Sequence, residues 1–362
     1  MNTNRFLKLS LALVFMLSLL LLGACSSGSS RSESTGGSSD EGKAEEKEEK
    51  IYKLRMNSMN APPTDSNTSS YLAQEGFKEL VKEKTNGRVE IEIFYANQLA
   101  GQSESLDALS RGTIDMQVIS PVSWTDKIPE GNWNSLPFGW KNEEELVYLI
   151  NESGLGDLYA EALNEYGVKP LFYYQSSAMA FLSNVRISGP EDMKGAIVNT
   201  QGTLKGDFYK AMGAGIANLP YAEYYEGLLR GTIDAVSFPA YTLDTYKLGE
   251  VVKYVTVPGE LSPGAAMIAI SQSAWDELPS DLQDLVMEAA KEIEQQTIAA
   301  SKAYTEHGIE FAKENGLEVV ELSEEAHKEF VEIAKETYWR GFAETNERTK
   351  KMIEIIEETQ NN

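Results

Sequence analysis

Few residues in this 362-residue chain are of the types that make or break covalent bonds. There is one cysteine, Cys25, and there are two histidines, His307 and His327. The histidines fall in helical-looking stretches near the C-terminus, on faces that read as solvated. They are too sparse for a zinc site, and neither His-Glu-x-x-His nor Cys-x-x-Cys occurs. No Gly-x-Ser-x-Gly elbow or phosphate loop is present. Gly213-Ala214-Gly215 lacks the third glycine of a dinucleotide fingerprint and does not directly follow a strand. Aspartate and glutamate are abundant, 56 against 32 lysines and arginines, but abundance does not make a catalytic pair. The expectation is a protein that is not an enzyme and carries no metal or cofactor. A net charge of −24 also argues against nucleic acid and anionic surfaces as partners.

Cys25 is suited to a different chemistry. Arg5 and Lys8 give a positive start, and Leu9 to Leu22 form a mostly apolar run shorter than the ~20 residues of a permanent span. The run ends in Leu22-Gly23-Ala24-Cys25, which resembles a bacterial lipobox. Cleavage before Cys25 and acylation of its thiol would make residues 1–24 a lipoprotein signal peptide. With a single cysteine there is no intrachain disulfide. Residues 25–50, rich in Ser and Gly and then in Glu and Lys, cannot bury a core and read as a flexible tether with a reach of roughly 28 Å. A lipid anchor on Cys25 would hold the folded part at the extracytoplasmic face of the cell membrane.

The elements behind any site are announced by a repeat. Arg111-Gly112-Thr113-Ile114-Asp115 recurs as Arg230-Gly231-Thr232-Ile233-Asp234. Each copy follows a leucine-bearing helical stretch and leads into an apolar run. This predicts a helix stopped by Gly and a turn into a buried strand, built once in each of two lobes. Strands are expected at Tyr52 to Met56, Val89 to Tyr95, Val168 to Gln175, Ile197 to Gln201 and Leu317 to Leu322, with helices between them. Alternating β and α elements predict mainly parallel sheets. A capping box at Ser280 and Gln283 is expected to open a helix running from Asp281 to about Asn315, near 50 Å and enough to span both lobes. Ser323 is expected to open a last long helix. A cleft between two such lobes is a natural site for a small ligand.

Residues 190 to 283 carry a further series: Gly189-Pro190-Glu191-Asp192-Met193-Lys194-Gly195, Met212-Gly213, Leu219-Pro220, and Glu223-x-Tyr225-x-x-Leu228-x-x-Gly231-x-x-Asp234. Pro239, Val251 to Thr256 and Trp275-Asp276-Glu277-Leu278-Pro279-x-x-Leu282-Gln283 complete it. In order and spacing this resembles the DctP-type substrate-binding proteins of tripartite ATP-independent periplasmic (TRAP) transporters, over roughly residues 51 to 345. Leu136-Pro137-Phe138 and the long helix fit as well. The resemblance implies an α/β, two-lobed periplasmic-binding-protein-like fold that closes on a small organic solute and delivers it to membrane permease subunits. The boundaries expected are lobe I over 51–174, lobe II over 175–261, a return to lobe I with the spanning helix over 262–302, and completion of lobe II with the C-terminal helix over 303–362. An ATP-driven importer's receptor and a sensory receptor share the two-lobe plan and are the alternatives.

Most members of that family hold an organic acid with an arginine, oriented by an acid and accompanied by an asparagine. This chain places Asn199 where the arginine belongs, Ser237 at the acid and Phe238 at the asparagine, and a further family arginine falls near Ala178 or Met179. Loss of cation and acid together is self-consistent, because either alone would be a buried unpaired charge. The expectation is a less ionic pocket for a neutral or weakly charged, partly apolar or aromatic solute. The alternative is that Arg55, Arg186 or a lysine takes over the anchor. Asn60, with Ser58 and Met59, and Trp124, in the segment from Ser120, are first-lobe candidates. Tyr221 and Tyr241 are second-lobe candidates.

Overall fold

The computed structural model describes residues 50–200 and 203–361. Cys25, the expected signal segment 1–24 and residues 25–49 of the expected tether lie outside the described residues, as does Gln201 at the end of one expected strand. The strands are β1 (Tyr52–Ser58), β2 (Val89–Phe94), β3 (Met116–Ile119), β4 (Val168–Gln175), β5 (Met179–Ser183), β6 (Ile197–Asn199), β7 (Gly215–Ala217), β8 (Ala235–Pro239), β9 (Tyr254–Val257), β10 (Ala265–Ser271) and β11 (Glu318–Glu321). They form two sheets, ordered β2-β1-β3-β10-β4 and β11-β9-β5-β8-β6-β7. Within each sheet one strand runs against both of its neighbours: β10 in the first and β5 in the second. The remaining pairs are parallel.

Both copies of the repeat build the same local structure. The helix Ser105–Ser110 ends at Arg111, and Gly112 takes a φ of +66°. The helix Tyr224–Arg230 ends at Gly231, with a φ of +69°. Thr113 N–H donates to Ala108 O at 2.9 Å, and Thr232 N–H donates to Gly227 O at 2.9 Å. Ile114 and Ile233 are then buried beneath their strands. The aspartates match too. Asp115 Oδ2 accepts from the Arg55 backbone N–H at 2.8 Å, and Asp234 Oδ2 accepts from that of Ile197 at 2.8 Å. Each carboxylate therefore ties the strand it precedes to its parallel neighbour, β3 to β1 and β8 to β6.

The chain crosses between the sheets at residues 176–178, from β4 to β5, and again at 258–264, from β9 to β10. The helix Ser280–Glu314 has 35 residues and is about 50 Å long at 1.5 Å per residue. It packs on β4 and the helix Phe77–Lys84 on the first side, and on the helix Thr242–Thr245 and β11 on the second. Its start differs from expectation. Pro279 is the cap, Ser280 is the first helical residue, and the Gln283 side chain donates to Trp275 O at 2.8 Å instead of closing a box. The expected last long helix opens at Ser323 but breaks after Ala343. Asn346 and Thr349 then cap the separate helix Glu347–Gln360 reciprocally. That helix returns to the first side, packing on Leu155–Asn164 and the turn Pro129–Ser135, where Arg348 binds the buried Glu130 at 2.8 Å.

His327 is not on a solvated face. It is half-buried, edge-on to Phe138 at 5.2 Å. Phe138 reaches from the first side into the second, stacking on Phe330 at 5.2 Å and meeting Phe208 at 6.4 Å. Among the described residues no helix is long and apolar enough to cross a membrane.

Candidate ligand-binding site

The two crossovers fix which edges of the sheets meet. β4 leaves the first sheet at Gln175 and β5 enters the second at Met179; β9 leaves at Val257 and β10 enters at Ala265. Register then puts Ser58, Ile119 and Gln175 on one rim, with Asn199, Ala217, Pro239 and Val257 on the other. These are the carboxyl ends of the parallel strands, where open α/β sheets bind ligands.

On the second rim, four expected residues form two pairs on opposite faces of the sheet, Met179 with Ser237 and Phe238 with Tyr221. Met179 pairs with Pro239 across the β5–β8 ladder, and Ser237 Oγ donates to Met179 Sδ at 3.7 Å. Phe238 stacks under Tyr221 at 5.4 Å and meets Tyr224 and Tyr246 edge-on at 5.3 and 5.9 Å. Tyr221 and Tyr246 are more than half exposed, so this cluster is an aromatic wall open to solvent. Asn199 stands beside it, but its amide is spent inside the lobe. Its Oδ1 accepts from Leu219 N–H at 2.6 Å, and its Nδ2 donates to the Tyr224 hydroxyl at 2.9 Å and to Leu219 O at 3.3 Å. Asn199 thus braces the loop that carries Tyr221.

The other expected residues are dispersed. Asn60 follows β1 on the first rim, half-buried, donating to Ser70 Oγ at 3.2 Å and Tyr174 Oη at 3.1 Å. Trp124 is buried in the first-side core with its indole N–H on Ser105 Oγ at 3.0 Å. Tyr241 sits against the spanning helix, edge-on to Tyr304 at 5.5 Å. Arg55 pairs with Asp115 at 3.1 Å and Arg186 with Glu318 at 2.8 Å, both at exposed positions.

A charged group that sequence reasoning missed lies between the halves. Lys205, on the helix Thr203–Ala211, binds Glu260 of the second crossover at 2.8 Å. The side chain of Lys205 is 19% exposed and that of Glu260 only 2%. Tyr209 donates to the other Glu260 oxygen and lies in hydrogen-bonding reach of Ser237. Phe138 N–H, from the first side, donates to Glu260 O at 2.7 Å. The Tyr338 and Tyr221 hydroxyls are near enough to act on the Lys205 charge, and Tyr338 bonds Ser135 of the first side. Burial alone would push the Lys205 ammonium down, but the Glu260 charge and hydrogen bond outweigh it and hold it above the usual lysine range. Burial, and then the same carboxylate, raise Tyr209 well above the usual phenol range, so it remains a donor. No local signal marks this group. Lys205 and Glu260 are 55 positions apart, and each is one charge among many.

Two α/β halves joined by crossovers, with an aromatic wall at one set of strand ends and the Lys205–Glu260 pair at the second crossover, define a bilobal solute-binding architecture. The chain belongs to the bacterial extracellular solute-binding protein family 7, the DctP family, whose model matches residues 60–345. It is 26% identical over 243 residues to the C4-dicarboxylate-binding periplasmic protein DctP of Rhodobacter capsulatus, covering 66% of this chain and 72% of the relative. It is 27% identical over 227 residues to a monocarboxylate 2-oxoacid-binding periplasmic protein of Nostoc sp., covering 62% of each. A TRAP periplasmic solute-binding protein of Rhodobacter sphaeroides, solved in an apo open form, superposes with a TM-score of 0.75 at 26% identity. The match covers 86% of this chain and 98% of that one.

Proposed function

We propose that this chain is the extracytoplasmic, lipid-anchored receptor of a TRAP-type secondary transporter, capturing a small organic solute of low net charge and passing it to the membrane permease. The observation that carries the reading is the pair of strand-end rims facing each other in a chain of this family. A solute between them would contact the aromatic wall from one side and the 58–60 segment from the other. Closing around it requires motion at the two crossovers, along the spanning helix and at the link before Asn346, a small hinge region of the kind that lobe closure uses. Cys25, acylated after removal of residues 1–24, would hold the receptor to the membrane, with residues 25–50 as a leash.

The reading is tested in three parts. A solute present at 1,000 times its dissociation constant adds about 4 kcal/mol of stability, so a thermal-shift panel of acids, amides and neutral solutes should give clear hits, with compaction in small-angle scattering. A panel with no hit and no compaction contradicts a receptor. Cys25→Ala should release the protein from membranes; continued membrane retention would count against the anchor. Co-purification with two permease subunits supports the transport role, whereas recovery with an ATPase assigns the receptor to an importer of the other kind.

A further inference from the structure

The chemistry left open at the Lys205 cluster decides what the cleft can hold. Both Glu260 carboxylate oxygens are taken, one by Lys205 and one by Tyr209, and its carbonyl by Phe138. Glu260 therefore has little left to offer a ligand donor. Lys205 is different. An ammonium has three N–H donors, and among the described residues one of them is used, on Glu260. The unfilled capacity here is that of a donor and a cation, on a side chain that is 19% exposed and close enough to the Tyr221 and Tyr338 hydroxyls to feel their charge.

A ligand filling it must present acceptors and negative charge, which a carboxylate does. A second carboxylate on the same ligand would face the Glu260 charge and the Tyr209 and Tyr338 rings, with no second cation among the described residues of the cluster to receive it. Burying that group unpaired is costly. Asn199 cannot substitute, because its amide is already engaged with Leu219 and Tyr224. We propose that Lys205, positioned by Glu260, is the carboxylate anchor of this receptor, and that it selects solutes bearing a single carboxylate on a short, partly apolar body. The inference rests on the receptor reading above and names the ligand class of that same cleft. Lys205 touches the ligand. Glu260 acts through Lys205 by holding the ammonium in place and cancelling its charge in the empty state.

The test uses the full chain in detergent. Its probes are short 2-oxo and 2-hydroxy monocarboxylates from pyruvate upward, their neutral methyl esters, and the dicarboxylates malate and succinate. In the unmutated chain, which needs no variant to fold, at least one monocarboxylate should bind at least 10-fold more tightly than its ester and than either dicarboxylate. Lys205→Met should weaken the acid by about 10- to 100-fold, the range of a charge-assisted hydrogen bond, and Lys205→Arg should restore most of it. Glu260→Gln leaves the cluster with a net positive charge, so preference should shift toward the dicarboxylates, a change that mere loosening of the fold would not produce. Equal binding of acid and ester, tighter binding of a dicarboxylate, unaltered acid binding by a folded Lys205→Met, or no binding by any monocarboxylate would each overturn the proposal. If esters or neutral solutes bind and compact the chain, the receptor reading survives this failure; if no solute of either kind binds, it falls too.

Discussion

Gly308 offers a test in which helix propensity and packing predict opposite signs. It lies inside the spanning helix, where replacing Gly by Ala ordinarily adds about 1 kcal/mol of stability. Here a Cβ would sit 2.3 Å from Ala240 C, 2.4 Å from Tyr241 N and 2.7 Å from Ala240 O. Ordinary contact begins near 3.4 Å, so the helix and the 240–241 peptide would have to part by about 1 Å. Neither can turn aside as a side chain could, because all three atoms are backbone and Ala240 is buried below β8. Overpacking of this kind costs about 1–3 kcal/mol, and more when nothing yields. Taking the upper end and subtracting the helical gain leaves Gly308→Ala destabilised by about 2 kcal/mol. At roughly 2 °C per kcal/mol for a chain of this size, its melting temperature should fall by about 4 °C. Displacing Ala240 also moves the end of β8, which carries Ser237 and Phe238, so solute affinity should drop several-fold. A melting temperature equal to or above that of the parent chain would refute the close approach of the long helix to the second sheet.

Three further outcomes follow from single contacts. Asp115→Ala and Asp234→Ala each remove a carboxylate from a strand N–H at 2.8 Å and should each cost about 1–2 kcal/mol in urea unfolding. Their effects should add, since the sites lie in different sheets; a double variant far from the sum would refute their independence. Burial and the nearby Lys141 charge lower the His327 pKa, so protonation opposes the fold and stability drops as pH falls below about 6.5. His327→Phe should flatten the melting temperature between pH 7 and 5, and a slope parallel to the parent chain would contradict this. Burial raises the Glu294 pKa despite the Asn151 amide donating to it at 3.0 Å. Its favourable contribution is present in acid and lost as pH rises through the folded value, so Glu294→Gln should stabilise at pH 7 and do little at pH 4. Equal shifts at both pH values would argue against a perturbed carboxyl.

What was legible in the sequence was local or periodic. The repeat was readable because a helix stop, a positive-φ glycine and a strand entry are fixed by neighbours within ten residues, and both copies make the same bonds. The length of the spanning helix was readable from its continuous pattern, while its first turn was not. Pro279 supplies the cap, and Gln283 finds a tertiary partner in Trp275. The break before the last helix carries its own signal, Asn346 three residues ahead of Thr349, independent of the cap at Ser323. At the site, residue type pointed to Asn199 and Phe238, but only the fold shows that Asn199 is consumed by its own loop while Phe238 stays half-buried beneath Tyr221. Lys205 and Glu260 were invisible because their meaning lies in their distance, and nothing near either residue encodes it.

The position of Glu260 has a consequence for how charge and closure are joined. It belongs to a crossover that must bend when the halves approach, and it is bonded to both of them: to Lys205 and Tyr209 on one side and, through its carbonyl, to Phe138 on the other. A cation borne on a strand would sense ligand charge from a rigid sheet. Lys205, if it is the anchor proposed above, would sense it from a group fastened to the hinge, so a carboxylate drawing on the ammonium would also loosen its hold on Glu260 and on the crossover. Ligand charge and lobe geometry would then share one free energy, and by linkage the coupling would be reciprocal. A Glu260→Gln variant should show this as a changed balance between open and compact forms in scattering without any solute, and an unchanged balance would mean that the pair fixes charge alone.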